Sequence, residues 1–544
     1  MVSISRYKPK MIRQFIDDGY WGAELTVDYW ERNARHRPGA EALADGSMRL
    51  NWAEAWDRID RLSGALIDQG FAKDDVVLVQ AGNSAWLMLF RLACERAGVI
   101  PVFLHYGFRR REIEHIIRTT RPVGAVVGGA SEKFDLPGLY RDLRAEHAGL
   151  RKIFVMEGPG EPEMPSIPGL IENPPPGPAP SAAAVESRLA ERRFAPGELT
   201  SIVTSSGTTG APKSIEYSVW PRLASGRVYI KRLGLTSGDA VALFLPLYTG
   251  PGDMFYHTAP QVGARQILLE TFSPEAACRL VETEKPSVVI LVPTMLHRIL
   301  GHPGFAAEVF ASLRYVSCGG SVLPYEIGRR VEASFGAKIV QAYGLMDCGA
   351  VASHAADDSQ ETRLRTQGKP LDGTEVRILD EHAKSVPAGE IGEVCARGPH
   401  CNGDYIGDED ATAAAWRDGF FHTGDLGRLD ADGYVILEGR SKDIIIRGGQ
   451  NISAKEIEAV LAHHPAIKEA VAVSMPDAEM GERACVFVVP AGEQDLTLAE
   501  VARFMKARGV ATFKIPERLE LIDELPVTPG GNKVDKKALE EMLS

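Results

Sequence analysis

The first half of the sequence alternates short β-rich runs with longer helical patterns. A continuous apolar run, VVLVQ at 76–80, is followed by helical spacing over 84–98 and by a second run, VIPVFL, at 99–104. Between 242 and 344 the strand-like runs resume as ALFLP, RQILLE, SVVILV, LRYVSC and AKIVQAYG. This β-α-β order predicts a largely parallel sheet covered by helices.

Changes in this pattern predict more than one domain in a chain of 544 residues. Proline and glycine are enriched over 157–198, which indicates a surface excursion or linker. From about residue 375 short alternating strands predict a small antiparallel unit or barrel. Farther on, SAKE and TLAE are capping boxes that open two helices of a compact βα region. The predicted parts are an N-terminal domain over 1–439, a hinge at 440–443 and a C-terminal domain over 444–544.

Composition argues against several classes of protein. Lys and Arg number 61 against 73 Asp and Glu, a net charge of −12, whereas a general nucleic-acid binder needs a basic face. No apolar run approaches the roughly 18 residues of a membrane span, and the N-terminus lacks the apolar core of a secretory signal. The seven cysteines are scattered without CxxC spacing, which indicates reduced thiols and no zinc site. We therefore expect a cytoplasmic protein with no nucleic-acid partner and no membrane span. A monomer or homodimer is expected.

The stretch TSSGTTGAPKS at 204–214 nearly matches the P-loop pattern G-x-x-x-x-G-K-[ST]. Pro212 stands where the second glycine belongs, and proline has a fixed φ and no N–H to offer a phosphate. A β-like run, IEYS, then follows where a P-loop would begin a helix. The hydroxyls, glycines and single cation suit a polyphosphate, although a solvated turn has the same composition. The residues concerned are Ser205, Ser206, Gly207, Thr208, Thr209, Gly210 and Lys213.

Five segments together resemble the adenylate-forming enzyme superfamily, which includes acyl-CoA synthetases, carrier-loading adenylation domains and luciferases. The loop above resembles the family's [ST]-SG-[ST]-TG-x-PK, and YGLMD at 343–347 is similar to YGxTE. Three further segments match in order and spacing: TGD at 423–425, the GR at 439–440 with DIIIRGGQNISAKEIE, and TPGGNKVDKKAL. The resemblance covers nearly the whole chain. It implies an α/β fold with a large N-terminal domain of parallel-type sheets, a small β-barrel-like subdomain and a small mobile α+β C-terminal domain.

This resemblance implies a two-step reaction. A carboxylic acid and ATP would give acyl-AMP and pyrophosphate, and a thiol would then displace AMP. Because the first step brings two anions together, the site must supply cations and oriented donors. ATP, Mg²⁺ and CoA are the implied cofactors. Thr208, Thr209 and Lys213 would hold the β- and γ-phosphates, and Lys533 would bridge the attacking carboxylate and the α-phosphate, with Lys536 and Lys537 as alternatives.

Two residues of YGLMD depart from the family. Asp347 replaces the glutamate expected to bind Mg²⁺, and a shorter acid can still bind the ion. Met346 replaces a threonine that contacts the α-phosphate, so we expect that contact to be lost.

The resemblance also assigns residues to the nucleotide. Asp425 would accept hydrogen bonds from the ribose hydroxyls, because a carboxylate offers two acceptor oxygens. Tyr343, beside Gly344, would stack on adenine, and Arg440 would reach ribose and phosphate. An adenine-side loop would consist of Gly319, Gly320 and Ser321.

The family's C-terminal domain rotates between the two half-reactions. Lys442 matches the hinge position, where few residues absorb such a change. After the rotation, Gly448 and Gly449 would line the thiol tunnel.

The segment LPLYTGPGD at 245–253 corresponds to a wall of the family's acyl pocket. The 2,3-dihydroxybenzoate adenylases, which this sequence resembles most in overall appearance, have His-Asn where Thr249 and Gly250 stand, and their asparagine meets a ring hydroxyl of the substrate. Its loss argues against a hydroxylated aryl acid. A wide, apolar pocket for a cyclic acid, alicyclic or aromatic, is expected from Tyr248, Thr249, Gly250, Ala342, Gly349 and Ala350, with Met254 and Phe255 adding apolar surface.

These observations favour a carboxylate–CoA ligase for a cyclohexanecarboxylate- or benzoate-like acid. An adenylase that loads a carrier protein would share the first half-reaction. A degenerate nucleotide-binding paralogue is the third hypothesis, prompted by Met346 and Asp347, although Lys213, Asp425 and Lys533 are retained. The sequence leaves the exact acid and the thiol acceptor open.

Overall fold

The computed structural model describes residues 7–130, 134–172, 182–205, 212–380, 382–440, 444–492, 496–526 and 534–543. The chain forms two compact units. The first unit comprises Met1–Tyr106, Thr120–Thr204 and Ser214–Glu438, and the second comprises Gly107–Thr119, Ser205–Lys213 and Gly439–Ser544. The second unit thus takes in two short segments from the first half of the chain, which the sequence pattern did not indicate.

Helices and strands alternate through most of the described residues. The α-helices are α1 Pro9–Asp17, α2 Thr26–His36, α3 Trp52–Asp68, α4 Ala85–Ala97, α5 Arg110–Thr120, α6 Leu136–Glu146, α7 Gly169–Glu172, α8 Ala182–Ala190, α9 Val219–Leu233, α10 Gly250–Val262, α11 Pro274–Glu284, α12 Pro293–Leu300, α13 Tyr325–Phe335, α14 Gln360–Arg365, α15 Glu409–Ala415, α16 Ala454–Leu461, α17 Leu498–Ala507 and α18 Lys536–Glu541. Short 3₁₀ helices span Ala307–Phe310 and Thr512–Lys514.

The strands of the first unit are β1 Glu41–Ala44, β2 Arg49–Asn51, β3 Val76–Gln80, β4 Ile100–Phe103, β5 Gly124–Val127, β6 Lys152–Val155, β7 Ser201–Ser205, β8 Lys213–Tyr217, β9 Ala240–Leu243, β10 Arg265–Leu268, β11 Val288–Leu291, β12 Tyr315–Gly319, β13 Lys338–Leu345, β14 Gly349–Ser353, β15 Lys369–Pro370, β16 Glu375–Leu379, β17 Gly392–Arg397, β18 Trp416–Arg417, β19 Phe420–Leu429 and β20 Val435–Arg440. The last residue of β7, the first residue of β8 and the last two residues of β20 belong to the second unit. The strands of the second unit are β21 Ile444–Arg447, β22 Gln450–Ser453, β23 Ile467–Asp477, β24 Gly481–Pro490 and β25 Arg518–Leu521.

The predicted parallel strands separate into two sheets. A nine-stranded sheet has the order β15-β14-β13-β12-β11-β9-β10-β1-β2, and its pairs from β13 to β1 are parallel. A six-stranded sheet has the order β6-β5-β3-β4-β7-β8, with parallel pairing from β6 to β7. Their central strands are nearly continuous apolar runs because helices cover both faces of a parallel sheet. All five residues of β3, for example, are buried.

The short alternating strands predicted after residue 375 form an antiparallel sheet. Its order is β16-β17-β19-β18, and β20 pairs with β19. Apolar side chains from this sheet pack with those of β13 and β14 in one cluster that includes Tyr343, Val351, Val394 and Phe421. The cluster fixes the antiparallel sheet against the end of the nine-stranded sheet.

The second unit has its own sheet and core. β22, β21, β24 and β23 are consecutive neighbours, and β25 pairs with β24. The predicted TLAE box closes fully, because Thr497 and Glu500 each accept a hydrogen bond from the other's backbone N–H. At SAKE, Ser453 accepts from the Glu456 N–H, whereas Glu456 Oε1 lies 2.8 Å from Nζ of the buried Lys514. The sequence pattern did not reveal this buried ion pair.

None of the described helices is both long and apolar enough to cross a bilayer.

The buried carboxyl group of Glu95 on α4 should make the stability of the first unit depend on pH. Burial raises the pKa of Glu95 to about 7, although its Oε1 accepts a hydrogen bond from Val27 N–H at 2.8 Å. The folded protein therefore binds this proton more tightly than the unfolded chain, so stability present below pH 4.5 is lost as the pH rises towards 7. Integrated over that window the loss is about 3 kcal/mol. Between pH 5 and pH 8 we expect the apparent melting temperature of Glu95→Gln to fall less than that of the parent protein.

The exposed Glu326 offers the matched control, since its side chain is 79% exposed. Glu326→Gln should leave the pH profile of the melting temperature unchanged. Parallel profiles for Glu95→Gln and the parent protein would show that folding does not raise the pKa of Glu95.

Candidate active site

The candidate adenine-side loop lies where β12 ends. Parallel pairing places Gly319 opposite Ala342 of β13, and a Cβ on Gly319 would lie 2.9 Å from the Ala342 carbonyl oxygen. Gly320 follows with φ of +84°, a conformation that favours glycine. Both glycines are therefore required by the backbone, which brings Gly319, Gly320 and Ser321 beside β13 at the carboxyl end of a parallel sheet.

Tyr343 and Asp425, which the sequence assigns to the nucleotide, meet in the structure. The Tyr343 hydroxyl donates to Asp425 Oδ2 at 2.8 Å, and the two residues are only 7% and 4% exposed. Burial, together with the neighbouring Asp425 carboxylate, raises the pKa of Tyr343 well above its usual value. The phenol therefore remains a donor, and one carboxylate oxygen of Asp425 is fixed in direction.

The loop that carries Asp425 is held by hydrogen bonds within the antiparallel sheet. Thr423 Oγ1 donates to the Val394 carbonyl at 2.7 Å and accepts from Asp425 N–H at 3.0 Å. The Gly424 N–H donates to Glu393 Oε1 at 2.9 Å. These bonds orient the TGD segment before any ligand is bound.

Asp347 lies in the turn between β13 and β14. The Met346 carbonyl accepts hydrogen bonds from the Tyr217 hydroxyl, at 2.9 Å, and from Asn402 Nδ2. The hairpin is tight, since a Cβ on Gly344 would lie 2.5 Å from the Gly349 carbonyl oxygen. The backbone beside Asp347 is therefore anchored on two sides.

The Asp347 carboxylate retains capacity for a ligand. Burial and a hydrogen bond to Asp347 raise the pKa of Tyr405, so this phenol is protonated. Asp347 Oδ1 is buried and has no hydrogen-bond partner among the described residues. A buried carboxylate oxygen without a partner is costly, and a cation at this point would satisfy it. The residues present therefore fit a Mg²⁺ ion, for which carboxylate oxygen is a preferred ligand.

A buried ion cluster contacts Tyr217, the residue that donates to the Met346 carbonyl. The Arg222 guanidinium lies 3.9 Å from the ring centroid of Tyr217, and its Nε is 3.2 Å from Asp253 Oδ2 on α10. Asp253 is also paired with Arg91 on α4 and lies 3.5 Å from His257 Nε2. Despite burial, which acts in the opposite direction, Arg91, His257 and Arg222 hold the pKa of Asp253 well below its usual range. Burial lowers the pKa of His257 to about 4, so this imidazole is neutral at pH 7.

Sequence reasoning gave these residues no role. The available signal was Arg91, a charged residue inside the apolar stretch AWLMLFRLAC at 85–94. Its partner Asp253 lies 162 positions away.

The candidate acyl-pocket residues begin at the N-terminus of α10. Thr249 caps this helix, because its Oγ1 accepts from Gly252 N–H at 3.2 Å and donates to the Pro246 carbonyl at 2.7 Å. Gly250 follows as the first helical residue, and a Cβ there would lie 3.7 Å from Met346 Sδ. The half-buried Tyr248 precedes the cap. The structure thus brings this segment beside the Met346 turn.

Two of the small residues predicted to widen the pocket are small because neighbouring atoms leave no room for a larger side chain. A Cβ on Gly349, which has φ of +101°, would lie 2.3 Å from the His400 carbonyl oxygen. Ala350 packs against Val228 and Leu371. A wide pocket is therefore better supported by Gly250 and the half-buried Ala342.

Several predicted site residues lie outside the described part of the chain. They are Ser206, Gly207, Thr208, Thr209, Gly210, Lys442 and Lys533, together with the side chain of Arg440. Ser205 is the last residue of β7, and Lys213 is the first of β8. In the second unit, Gly448 and Gly449 form the turn between β21 and β22, with φ of +56° and +83°.

A second polar cluster beside Thr423 escaped sequence reasoning. Atoms of Glu393, Cys395 and His422 that could bind a metal lie within 4.8 Å of one another. However, an Arg417 guanidinium nitrogen lies 2.7 Å from His422 Nδ1. Burial, followed by the Glu393 charge, raises the pKa of the Cys395 thiol to about 12. These contacts make the group an ion-paired cluster that supports the TGD segment.

Comparison with known proteins identifies the family. The AMP-binding enzyme family matches residues 30–406, and the AMP-binding enzyme C-terminal domain matches residues 456–532. The chain belongs to the AMP-binding enzyme family. It is an adenylate-forming ligase, a family that uses ATP, and the resemblance drawn from its motifs is confirmed.

Relatives match over nearly their whole length. A 2,3-dihydroxybenzoate-AMP ligase from Bacillus subtilis is 32% identical over 97% of this chain and 95% of its own. A 2-hydroxy-7-methoxy-5-methyl-1-naphthoate–CoA ligase from Streptomyces carzinostaticus is 32% identical over 96% of this chain and 93% of its own. The structure of an amide bond synthetase from Marinactinospora thermotolerans aligns with a TM-score of 0.82 and 25% identity, covering 94% of this chain and 99% of that one. These matches confirm the predicted α/β fold with a large and a small domain.

The Asp253 cluster predicts a large effect on stability. Asp253→Ala would leave Arg91 and Arg222 buried without their shared counter-ion, and breaking a buried ion pair in this way costs about 3–5 kcal/mol. We expect a clear fall in the apparent melting temperature measured by differential scanning fluorimetry. Asp57→Ala is the control, because its ion pair with Arg61 is exposed and should contribute less than about 1 kcal/mol. Equal melting temperatures for the two variants would contradict the role of the cluster.

Proposed function

We propose that this adenylate-forming ligase activates a cyclic carboxylic acid, alicyclic or aromatic, and transfers its acyl group to CoA. The observation that carries the choice of acid is the surroundings of Gly250. A side chain there would meet the apolar thioether of Met346 at 3.7 Å, and Gly250 has no polar side chain to meet a ring hydroxyl. A site built for a hydroxyl strongly rejects analogues that lack it, whereas an apolar site favours the acid without the hydroxyl more weakly, by about 100-fold or less.

The geometry of the first unit supports the proposed nucleotide roles. Asp425, oriented by the hydroxyl of Tyr343, would accept hydrogen bonds from the ribose. The loop from Gly319 to Ser321 would receive adenine beside β13. These groups bind and orient ATP so that its α-phosphate faces the acid, which lowers the entropy cost of the attack.

The phosphate side of the reaction needs positive charge. Asp347 would hold Mg²⁺ through its buried Oδ1, and the ion would supply charge to neutralise phosphate oxygens. From the sequence motifs, Lys213, Thr208 and Thr209 would bind the β- and γ-phosphates, and Lys533 would act on the attacking carboxylate and the α-phosphate. Arg440 would reach ribose and phosphate, Lys442 would be the hinge of the domain rotation, and Gly448 and Gly449 would line the thiol tunnel.

Support for CoA as the acceptor comes from the naphthoate–CoA ligase, which matches this chain along almost its full length. The 2,3-dihydroxybenzoate-AMP ligase, also 32% identical, is named for the acyl-AMP step alone. The second candidate function is therefore one in which a carrier protein, rather than CoA, receives the acyl group. The two functions share the first half-reaction and differ in the thiol.

Pyrophosphate release with ATP and Mg²⁺ tests the proposal. The acids compared are benzoate, cyclohexanecarboxylate, 2,3-dihydroxybenzoate, hexanoate and acetate, each with and without CoA. We expect multiple turnovers only with CoA and the highest kcat/KM with benzoate or cyclohexanecarboxylate. A single-turnover burst that CoA does not relieve would favour the carrier protein as acceptor. Activity only with hexanoate or acetate would contradict a cyclic substrate.

A reciprocal variant sharpens the same test. Gly250→Asn introduces the amide that the hydroxyaryl adenylases carry, so the ratio of kcat/KM for 2,3-dihydroxybenzoate to that for benzoate should rise about tenfold or more. Gly301→Asn, at the end of α12, is the control for inserting an asparagine elsewhere in the unit and should leave this ratio unchanged.

Tyr343→Phe tests the orientation of Asp425. A hydrogen bond to a charged group contributes about 1.5–3 kcal/mol, so its removal should weaken ATP binding about tenfold or more. The KM for the acid should change little. Tyr434→Phe is the matched control, because its hydroxyl donates to another carboxylate, Asp358, at 2.7 Å. A lower melting temperature with an unchanged Kd for ATP, measured by calorimetry, would reduce Tyr343 to a structural role.

A further inference from the structure

We propose that two buried amides at the end of β3, Gln80 and Asn83, are positioning residues that set the location of Tyr248 and thereby the selection of the acid. This inference rests on the proposed function, because it takes Tyr248 as a wall of the acyl pocket. Neither amide needs to touch the substrate. Each instead holds one of the two chain segments that contact Tyr248.

Asn83 holds the segment that leads into Tyr248. Its Nδ2 donates to the Leu245 carbonyl at 2.8 Å and to the Leu269 carbonyl at 3.1 Å, and its Oδ1 accepts from Leu247 N–H at 2.8 Å. Asn83 is 5% exposed, so these bonds form away from solvent. Leu245 and Leu269 follow β9 and β10 of the nine-stranded sheet, whereas Asn83 follows β3 of the six-stranded sheet. One carboxamide therefore fixes the residue before Tyr248 relative to both sheets.

Gln80 holds the segment on the other side. It is the last residue of β3 and is fully buried. Its Nε2 lies 3.1 Å from the His105 carbonyl oxygen and 3.3 Å from that of Tyr106, and its Oε1 accepts from the Tyr140 hydroxyl at 3.0 Å. Because the two carbonyl oxygens can only accept, the nitrogen must face them. Burial raises the pKa of Tyr140 far above its usual value, which keeps this hydroxyl a donor.

Tyr248 lies between the two segments. The Tyr106 N–H points to its hydroxyl at 3.5 Å, and the His105 ring meets the Tyr248 ring edge to face with centroids 5.4 Å apart. Burial raises the pKa of Tyr248 to about 12, so the phenol is neutral at pH 7. The position of its ring is thus set by His105 and Tyr106 on one side and by Leu247 along the chain.

The chemistry of the two amides suits this task. A carboxamide offers both donors and acceptors without charge, so it can fix several backbone groups beside an apolar pocket without an unpaired ion. Small displacements of a substrate-positioning group can lower the rate strongly, and a displacement near the acid should affect the acid before it affects ATP. A positioning role therefore predicts a change in the KM for the acid alone, whereas a purely structural role predicts no such selective change.

The test compares KM for the acid with KM for ATP in Asn83→Asp. This change keeps the shape of the side chain but removes both donors and places an anion against two carbonyl oxygens. We expect the KM of the best acid to rise about tenfold, while the KM for ATP stays within about twofold. The preference between cyclic acids and hexanoate should also change. The matched control is Asn33→Asp, since Asn33 is also a buried amide of the first unit and donates to the Pro260 carbonyl at 2.8 Å.

Asn33→Asp should lower the melting temperature yet leave both KM values within about twofold of the parent. Tyr140→Phe is a milder second variant, which removes only the hydroxyl that orients Gln80; it should raise the KM of the acid about threefold. If Asn83→Asp does not fold, Tyr140→Phe decides the question.

Parallel increases in both KM values, or unchanged acid kinetics in the folded variants, would overturn the positioning role. The role of the amides and the proposed substrate can fail separately. If the parent protein prefers hexanoate, the cyclic acid is wrong, and the same comparison with hexanoate still tests Asn83. If the parent activates none of the acids, the proposed function and this inference both fall.

Discussion

The carboxylate of Asp253, buried between Arg91 and Arg222, is the interaction on which the interior of the first unit depends. A buried charge is tolerated only when its partners and hydrogen bonds are in place, and loss of one partner exposes the full cost of desolvating the others. The same ions reach the candidate active site, because Arg222 stacks on Tyr217 and Tyr217 holds the Met346 carbonyl beside Asp347. Stability and the placement of the proposed metal ligand therefore rest on one cluster.

Two kinds of polar group, carboxylates and uncharged amides, hold or line different parts of the candidate site. Asp347 and Asp425 are the residues proposed to hold a cation and the ribose hydroxyls, and carboxylate oxygens suit both ligands. On the side proposed for the acid, the backbone is held instead by the uncharged amides of Gln80 and Asn83. An amide can satisfy several buried backbone groups without imposing a charge on an apolar ligand. This difference gives a physical reason why one site would bind both a highly charged nucleotide and the proposed apolar ring.

Small residues near the site have two different origins. Gly319, Gly344 and Gly349 are required because neighbouring backbone atoms approach too closely for a side chain. Gly250 is different, since a Cβ there would make only an ordinary contact with the Met346 thioether. Free space of this kind can be altered by substitution without disturbing the fold, so it is at Gly250 that a change of substrate preference is expected.

The local pattern of apolar residues was enough to predict many of the strands and helices. VVLVQ became β3 and the following helical spacing became α4, because continuous apolar runs and helical periodicity depend on neighbours in sequence. The capping residues Ser453 and Thr497 were also readable for the same reason. Motif resemblance selected Tyr343 and Asp425, although it did not show that they are hydrogen-bonded to each other.

The sequence by itself determined the strand and helix order, the family and the candidate nucleotide residues, because each is encoded in short, contiguous segments. Only the tertiary structure decided that the parallel strands form two sheets, that Asp253 is shared by two arginines, and that Gln80 and Asn83 converge on Tyr248. Such contacts join residues far apart in the chain, and the side chains concerned look ordinary in their local segments. Their role arises from burial and from the geometry of their partners, which exist only once the chain has folded.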